Sequence, residues 1–431
     1  MFTRVALIAC VALLFSACEK TDHESIDKWA STKKGPGKLK KALMDGGLDA
    51  DLSAHAGVNM IKKGRDQEVK TELDNMAQGR RGEVVAKMAA RLWEVARMEG
   101  EMQMPVPAQV QAKDALVMVR KYAEPAMRTT IDGYLTDWLA TPAFEGRAQT
   151  GAVLGPTIIR MVGQPAAKKL MRVADGIIAA PGQDTVKKRI GDELLLSLAA
   201  TGDADAVKYV LNIARMDRRD KTLSGRAMGA LYAAYVDPGG LLDVQQPAAL
   251  IPNLDTLVSI AKDDSMPGQA ANSAVALIRV VGPPACVAPL VSMVAHPHPD
   301  PSFRYFGPDH ALKCGGLAAI KPVIKAMPDL AYEQKRLEGS VVLAISNITP
   351  RDQVLKELRD LLSDKSRMAR WVAIEALAAM KSVDDAPRIA AVKGPERLVG
   401  FWGDTSVAIK PEPTLSQRSK ELADALGKAP K

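Results

Sequence analysis

Apolar residues along this chain recur three and four positions apart instead of alternating with polar ones. Val69 and Leu73, Val207 and Leu211, and Val354 and Leu358 are pairs of this kind. On a helix such pairs share one face, and a stripe of them turns that face toward a core. β-branched and aromatic residues seldom alternate with polar ones, and aromatics make up 4% of the 431 residues, which disfavours any β architecture. The pattern predicts an all-α protein.

A turn-forming residue stands at a fixed distance before each pair: Gly64, Gly202 and Thr349 lie five residues ahead of Val69, Val207 and Val354. Gly282 with Val287 shares the first half of the pattern. This is the signature of a helix C-cap, a short turn and a second helix. Small residues at close spacing upstream, such as Ala271 and Ala274 or Ala373 and Ala376, let one helix approach its neighbour closely. The glycines Gly163, Gly202, Gly239 or Gly240, and Gly282 follow one another at about 40 residues, one helical hairpin per period. Two short helices cannot cover both their apolar faces, so each hairpin has to stack on the next. The expected fold is an α-solenoid of about eight hairpins over residues 27–397.

The run Leu361-Leu362-Ser363-Asp364-Lys365 leading into Arg370-Trp371-Val372-Ala373-Ile374-Glu375-Ala376-Leu377 resembles a HEAT repeat of the short bacterial type. There an Asp ends the turn and an Arg-x-x-Ala-x-x-Ala-Leu helix follows. Leu198-Ala199-Ala200-Thr201-Gly202-Asp203 resembles the junction between hairpins of that family. The similarity is patchy, since many blocks lack the Arg. The resemblance implies stacked hairpins, and such an array exposes a long concave face suited to protein or peptide recognition.

Met1-Phe2-Thr3-Arg4 supplies one positive charge, and an apolar run from Val5 to Phe15 follows. Eleven apolar residues are too few for a membrane span, which takes about 20, and fit an export signal over residues 1–17. Ser16-Ala17-Cys18 resembles the lipobox of bacterial lipoproteins, with Phe15 where Leu is usual. That resemblance implies cleavage before Cys18, acylation of Cys18 (a palmitate-type modification), and a short tether over residues 18–26. Glu19 in place of Asp points to the outer membrane, facing the periplasm or the cell surface. An ordinary cleaved leader with an incidental cysteine is the alternative. Cys286 and Cys314 then remain as thiols in an oxidising compartment; nothing in their spacing forces a pair, and two separate buried cysteines are expected.

Two segments break the pattern. His-Pro-His-Pro-Asp-Pro-Ser-Phe-Arg-Tyr-Phe-Gly-Pro-Asp-His, from His296 to His310, carries four prolines and is expected as an inserted loop over residues 295–310. Phe303, Arg304, Tyr305 and Phe306 have the composition of an interface hot spot, or of rings tucked back to anchor a long loop. His296, His298 and His310 with nearby Cys314 are a weaker metal-ligand candidate. Residues 398–431, with Phe401, Trp402 and a last helix near Leu415 to Leu426, are expected to cap the array, and Trp29 to do the same at the other end.

Charge changes this picture little. The 58 Lys+Arg against 50 Asp+Glu suggest nucleic acid only for a cytoplasmic chain, so no nucleic-acid partner is expected of an exported one. Lys28, Lys33, Lys34, Lys38, Lys40 and Lys41 fall close to the lipid attachment, where they suit anionic headgroups or a solvated helix face. Phosphate-binding loops, His-Glu-x-x-His, Gly-x-Ser-x-Gly and Cys-x-x-Cys are absent, and no cofactor is expected. The reading is a non-catalytic, lipid-anchored scaffold for an envelope protein or peptide. An envelope enzyme or a metal- or ligand-binding protein working through residues 296–314 is the alternative.

Overall fold

The computed structural model describes residues 21–180, 190–216, 221–237, 243–294, 301–327, 341–394 and 413–428. Among them the chain is helices joined by turns, an all-α fold of stacked hairpins, and none of these helices is long and apolar enough to cross a membrane. It forms two compact units, residues 1–182 and 183–431.

The first unit contains α1 (His23–Ala30), α2 (Gly35–Met44), α3 (Ala50–Lys62), α4 (Asp66–Asn75), α5 (Gln78–Ala96), α6 (Pro107–Arg120), α7 (Pro125–Leu139), α8 (Phe144–Ala148), α9 (Gly155–Val162) and α10 (Ala167–Ala179). Helices α3, α5, α7 and α9 contact one another in succession, as do α2, α4 and α6, which makes two layers. The second unit repeats the plan. Its helices are α11 (Asp192–Ala200), α12 (Ala204–Met216), α13 (Lys221–Tyr235), α14 (Leu254–Ala261), α15 (Gly268–Val280), α16 (Val287–Val294), α17 (Pro301–Gly315), α18 (Ile320–Ala326), α19 (Leu343–Ser346), α20 (Arg351–Leu361), α21 (Arg367–Ala379), α22 (Ala386–Ala390) and α23 (Leu415–Gly427). One layer runs α11, α13, α15, α17, α19, α21 and the other α12, α14, α16, α18, α20.

The spacing rule holds in three dimensions. Gly64, Gly163, Gly202 and Gly282 all take positive φ, between 66° and 80°, the left-handed conformation that ends a helix without a Cβ penalty. Gly202 has a second constraint: a Cβ there would stand 2.8 Å from Oε1 of the buried Gln245. Val69, Leu73, Val207, Leu211, Val354 and Leu358 are all fully buried. After Gly282 the register moves by one, so Cys286 and Leu290 fill the core and Val287 lies half-buried. Gly239 and Gly240 lie outside the described residues.

The HEAT-like block behaves as its pattern implies. Ala373, Ala376 and Leu377 are fully buried on α21, and the Asp364 carboxylate accepts from the Ser366 amide at 2.9 Å to end the turn. Arg418 of α23 donates to buried Glu375 of α21 at 2.7 and 3.0 Å, and the Trp371 indole donates to the same carboxylate at 3.2 Å. The last helix is thereby fastened to the array. Phe401 and Trp402 lie outside the described residues. Trp29 is buried, with Lys38 Nζ 5.1 Å from its ring.

A second ionic knot closes the turn before α22. Asp385 is fully buried and accepts from Arg359 at 2.9 and 3.0 Å, from Arg388 at 2.5 Å and from the Ser382 hydroxyl at 2.7 Å. Burial pushes its carboxyl up, but these donors outweigh it and hold it at about 2.

At the other end α1 docks through Ile26 and Trp29 and through a histidine pair. His23 and His55 approach at 2.8 Å between their Nδ1 atoms. His55 Nε2 lies 2.8 Å from Asp27, which also accepts from Asn59 at 2.9 Å. His23 Nε2 lies 3.3 Å from Asp51, which is held by Arg91 at 2.6 Å.

Two expectations are corrected. Residues 301–315 are a helix, α17, and not part of an inserted loop. Pro301 takes the first helical position, where its missing N–H costs nothing, Pro308 forfeits one interior hydrogen bond, and Ala311 and Leu312 bury the helix in the core. Cys286 and Cys314 are not separate: they form a disulfide with a Cα–Cα distance of 6.5 Å. The contact of α16 with α17 brings together what spacing alone does not.

Candidate functional site

The first unit holds an open groove of about 850 Å³ between α4, α6 and the turn at residues 150–153. Helix α6 supplies its floor with Val110, Asp114 and Met118, four apart, and with Ala115, and Lys121 follows at the helix end. Asp66, Gln67 and Lys70 of α4 form one wall, and Pro105 and Pro107 close an end. The lining is mainly apolar, with ionic groups at the rim. The connecting segment that enters at Pro105 also exposes Met102, Met104 and Val106, by 71%, 50% and 51%. Long, unbranched methionines adapt to irregular partners.

Both irregular segments at this groove are fixed by buried cations. Lys113, on the core side of α6, is 1% exposed; its ammonium donates to the carbonyls of Thr150 at 3.0 Å and Val153 at 2.7 Å, and contacts Asp114 at 2.5 Å. Asp114 in turn accepts from the amides of Ala152 at 2.7 Å and Val153 at 3.3 Å. Gly151 is enclosed by this pair: its φ is +90°, and a Cβ would fall 2.6 Å from both Asp114 Oδ2 and Lys113 Nζ. The turn therefore requires glycine. Burial lowers the Lys113 ammonium below its ordinary range, and Asp114 works against that shift.

Arg147 on α8 does the same for residues 100–103. It is 3% exposed and donates to the carbonyls of Gly100 at 2.8 Å, Glu101 at 3.0 Å, Gln103 at 3.0 and 3.1 Å, and Trp138 at 3.1 Å. A planar guanidinium can serve so many carbonyls because its donors point outward in a fixed fork. Burial lowers its pKa as well. Lys113 thus holds the groove wall at residues 150–153, and Arg147 holds residues 100–103, which lead to its end at Pro105. The donors of Lys113 are taken up by two carbonyls and a carboxylate, so the lysine serves as a fastener and does not present a nucleophile.

The residues singled out from the sequence do not converge here. Cys18, His296 and His298 lie outside the described residues. Phe303, Arg304, Tyr305 and Phe306 lie in the first turns of α17, and the described residues do not extend to their side chains. Cys314 is engaged in the disulfide, which removes it as a thiolate ligand. His310 Nδ1 accepts from Arg279 at 3.1 Å. Among the described residues no cluster of three or more His, Cys, Asp or Glu side chains is arranged to hold a metal. Sequence reasoning missed Lys113 and Arg147, whose charges sit among ordinary helical residues. The nearest signal was Pro105-Val106-Pro107, which marks a shaped connection but not what holds it.

The chain matches no protein-family model and no curated protein. Among solved structures it is similar to an engineered protein at 15% identity with a TM-score of 0.33, over 92% of this chain and 99% of that one. It is also similar to human deoxyhypusine hydroxylase, solved in complex with glycerol, at 17% identity with a TM-score of 0.25, over 69% of this chain and 98% of that one.

Proposed function

We propose that this protein is an exported lipoprotein, anchored to the envelope through Cys18, that acts without catalysis by holding an extended apolar segment of another envelope protein in the groove of its first unit. The groove carries the reading: its floor is a helix face, its wall at residues 150–153 is positioned in advance by Lys113, the segment leading to Pro105 is held by Arg147, and methionines stand exposed beside it. A site organised before its ligand arrives loses less conformational entropy on binding. The Cys286–Cys314 disulfide supports an oxidising compartment, and the apolar leader ending in Ser16-Ala17-Cys18 supports the anchor. Lys28, Lys33, Lys34, Lys38 and Lys41 are exposed on and between α1 and α2, and no Asp or Glu occurs from Lys28 to Met44. Each such charge near an anionic surface contributes about 1 kcal/mol to membrane contact.

The test is a photo-crosslinking amino acid placed at Met118 in the groove and, separately, on an exposed position of α10, in intact cells. A single envelope protein captured from Met118 alone, whose purified form loses affinity at least tenfold for Val110→Asp, supports the reading. Equal capture from both positions, or unchanged affinity, refutes it. Cys18→Ala is expected to move the chain from the membrane fraction to the soluble periplasmic fraction; retention in the membrane refutes the anchor.

A further inference from the structure

The second unit has a cleft of about 710 Å³, lined by α13, α15 and α17, that the scaffold reading does not use. Helix α15 turns Gln269, Asn272, Ala276 and Arg279 toward it, at intervals of three and four. The rest of that helix is spent on the core: Ala270, Ala271, Ala274, Val275, Leu277 and Ile278 are buried.

The polar groups facing the cleft are mostly donors. Arg279 gives one N–H to His310 Nδ1 at 3.1 Å. A guanidinium only donates, so this Nδ1 carries the lone pair and the ring proton sits on Nε2. Burial, then the Arg279 charge, push His310 down to about 4, which keeps the ring neutral. Lys313 pairs with Asp309, the one carboxylate among the described residues of the lining, at 2.8 Å. Among these residues two cations against one anion leave one positive charge in excess. Ser273 also lines the cleft, and among the described residues its hydroxyl and the side-chain amides of Gln269 and Asn272 enter no hydrogen bond with one another or with a neighbour, so they are open to a ligand.

We propose that this cleft binds the carboxylate of a small peptide-like ligand, a peptide C-terminus or an N-acylated amino acid, with Arg279 taking the carboxylate and Asn272 and Gln269 pairing with the adjoining amide. One excess positive charge matches a single carboxylate, and a guanidinium fork fits its two oxygens. A side-chain amide carries the donor and the acceptor that a peptide group needs. Ser273 supplies a further hydroxyl within the cleft. The site lies wholly in the second unit, so it stands or falls independently of the groove.

The probe is N-acetyl-alanyl-alanine, compared with its C-terminal amide, titrated into the full chain while the His310 ring resonances are followed by NMR. The acid is expected to shift them saturably, to raise the His310 titration midpoint above about 4, and to bind at least about tenfold more tightly than the amide. Arg279→Gln should abolish the response, Arg279→Lys should weaken it by removing the fork while keeping the charge, and Ser273→Ala should weaken it several-fold, with circular dichroism checking that each variant is folded. Equal binding of acid and amide, no saturable response, or saturation by inorganic phosphate but not by the acid would overturn the proposal, as would full binding by a folded Arg279→Gln variant.

Discussion

The docking of α1 depends on His55 remaining neutral. Its Nε2 lies 2.8 Å from Asp27, and its Nδ1 meets Nδ1 of His23 at 2.8 Å, which completes the pair. Around it stand Asp27, Asn59 and Lys62 on the His55 side and Asp51, Lys87 and Arg91 on the His23 side. Burial raises the Asp27 carboxyl, yet Asn59 and His55 bring it below its ordinary value; Arg91 lowers Asp51, so both carboxylates stay ionised. Burial lowers His55, with Asp27 opposing and the Arg91 charge adding to the fall, so protonation of this ring is resisted in the folded state. A histidine depressed by folding contributes stability above its unfolded pKa, about 6.5, and loses it as pH falls below that. Protonating His55 removes its Nδ1 lone pair from the 2.8 Å contact with His23, a loss of about 1.5 kcal/mol, or about tenfold in the local opening equilibrium. An eight-residue helix held by Ile26 and Trp29 has little reserve against such a loss. Hydrogen exchange of amides 26–30, corrected for intrinsic rates, is therefore expected to quicken about tenfold between pH 7.5 and pH 5, while α5 core amides hold steady. His55→Gln should flatten the dependence. A pH-independent α1, or an unchanged pH profile in His55→Gln, would refute the role given to His55.

Three further outcomes follow from the buried ionic groups and the disulfide. Arg147→Leu leaves the carbonyls of residues 100–103 without their donor; a urea midpoint lowered by about 3 kcal/mol equivalent is expected, with new protease sensitivity between residues 99 and 106. Paired replacement of Cys286 and Cys314 by serine opens a loop with a sequence separation of 28 and should cost about 3.5 kcal/mol by chain entropy, seen as a lower Tm that matches the reduced wild type. Asp385→Asn removes a carboxylate held at about 2, so its stability contribution, intact above about pH 4, should vanish from the wild-type curve between pH 4 and pH 2 and be missing from the variant throughout; parallel acid-unfolding curves would contradict this.

The fold was legible where one rule governs one residue. Gly64, Gly163, Gly202 and Gly282 could be picked out because a left-handed turn leaves little choice but glycine, and the apolar positions after them because helix periodicity fixes which face is buried. Residues 301–310 were misread since proline was weighed by number instead of position: Pro301 starts the helix and costs it nothing. The disulfide and the histidine pair were not legible, because each joins residues whose proximity is decided by the stacking of whole helices. The groove had the same difficulty. Its floor is an ordinary amphipathic stripe, and its walls depend on Lys113 reaching residues about 40 positions away.

Lys113 and Arg147 also separate stability from the proposed binding role of the first unit. Burying a cation is expensive, and an apolar side chain of similar volume often holds a core as well or better. An apolar side chain cannot, however, hold a carbonyl in place. The segments 100–103 and 150–153 have irregular backbones whose carbonyls point inward, and each needs a donor that only a long cationic side chain delivers from a neighbouring helix. If these segments were mere connections, shorter turns would avoid the need. On the proposed reading their length and their fastening make sense together: residues 150–153 are a wall of the groove, and residues 100–103 lead to its end at Pro105. A variant that swaps residues 100–106 for a short glycine-serine turn while replacing Arg147 by leucine separates the two demands: it should keep the stability of the unit and lose the partner. Retained binding would place the partner elsewhere on the array.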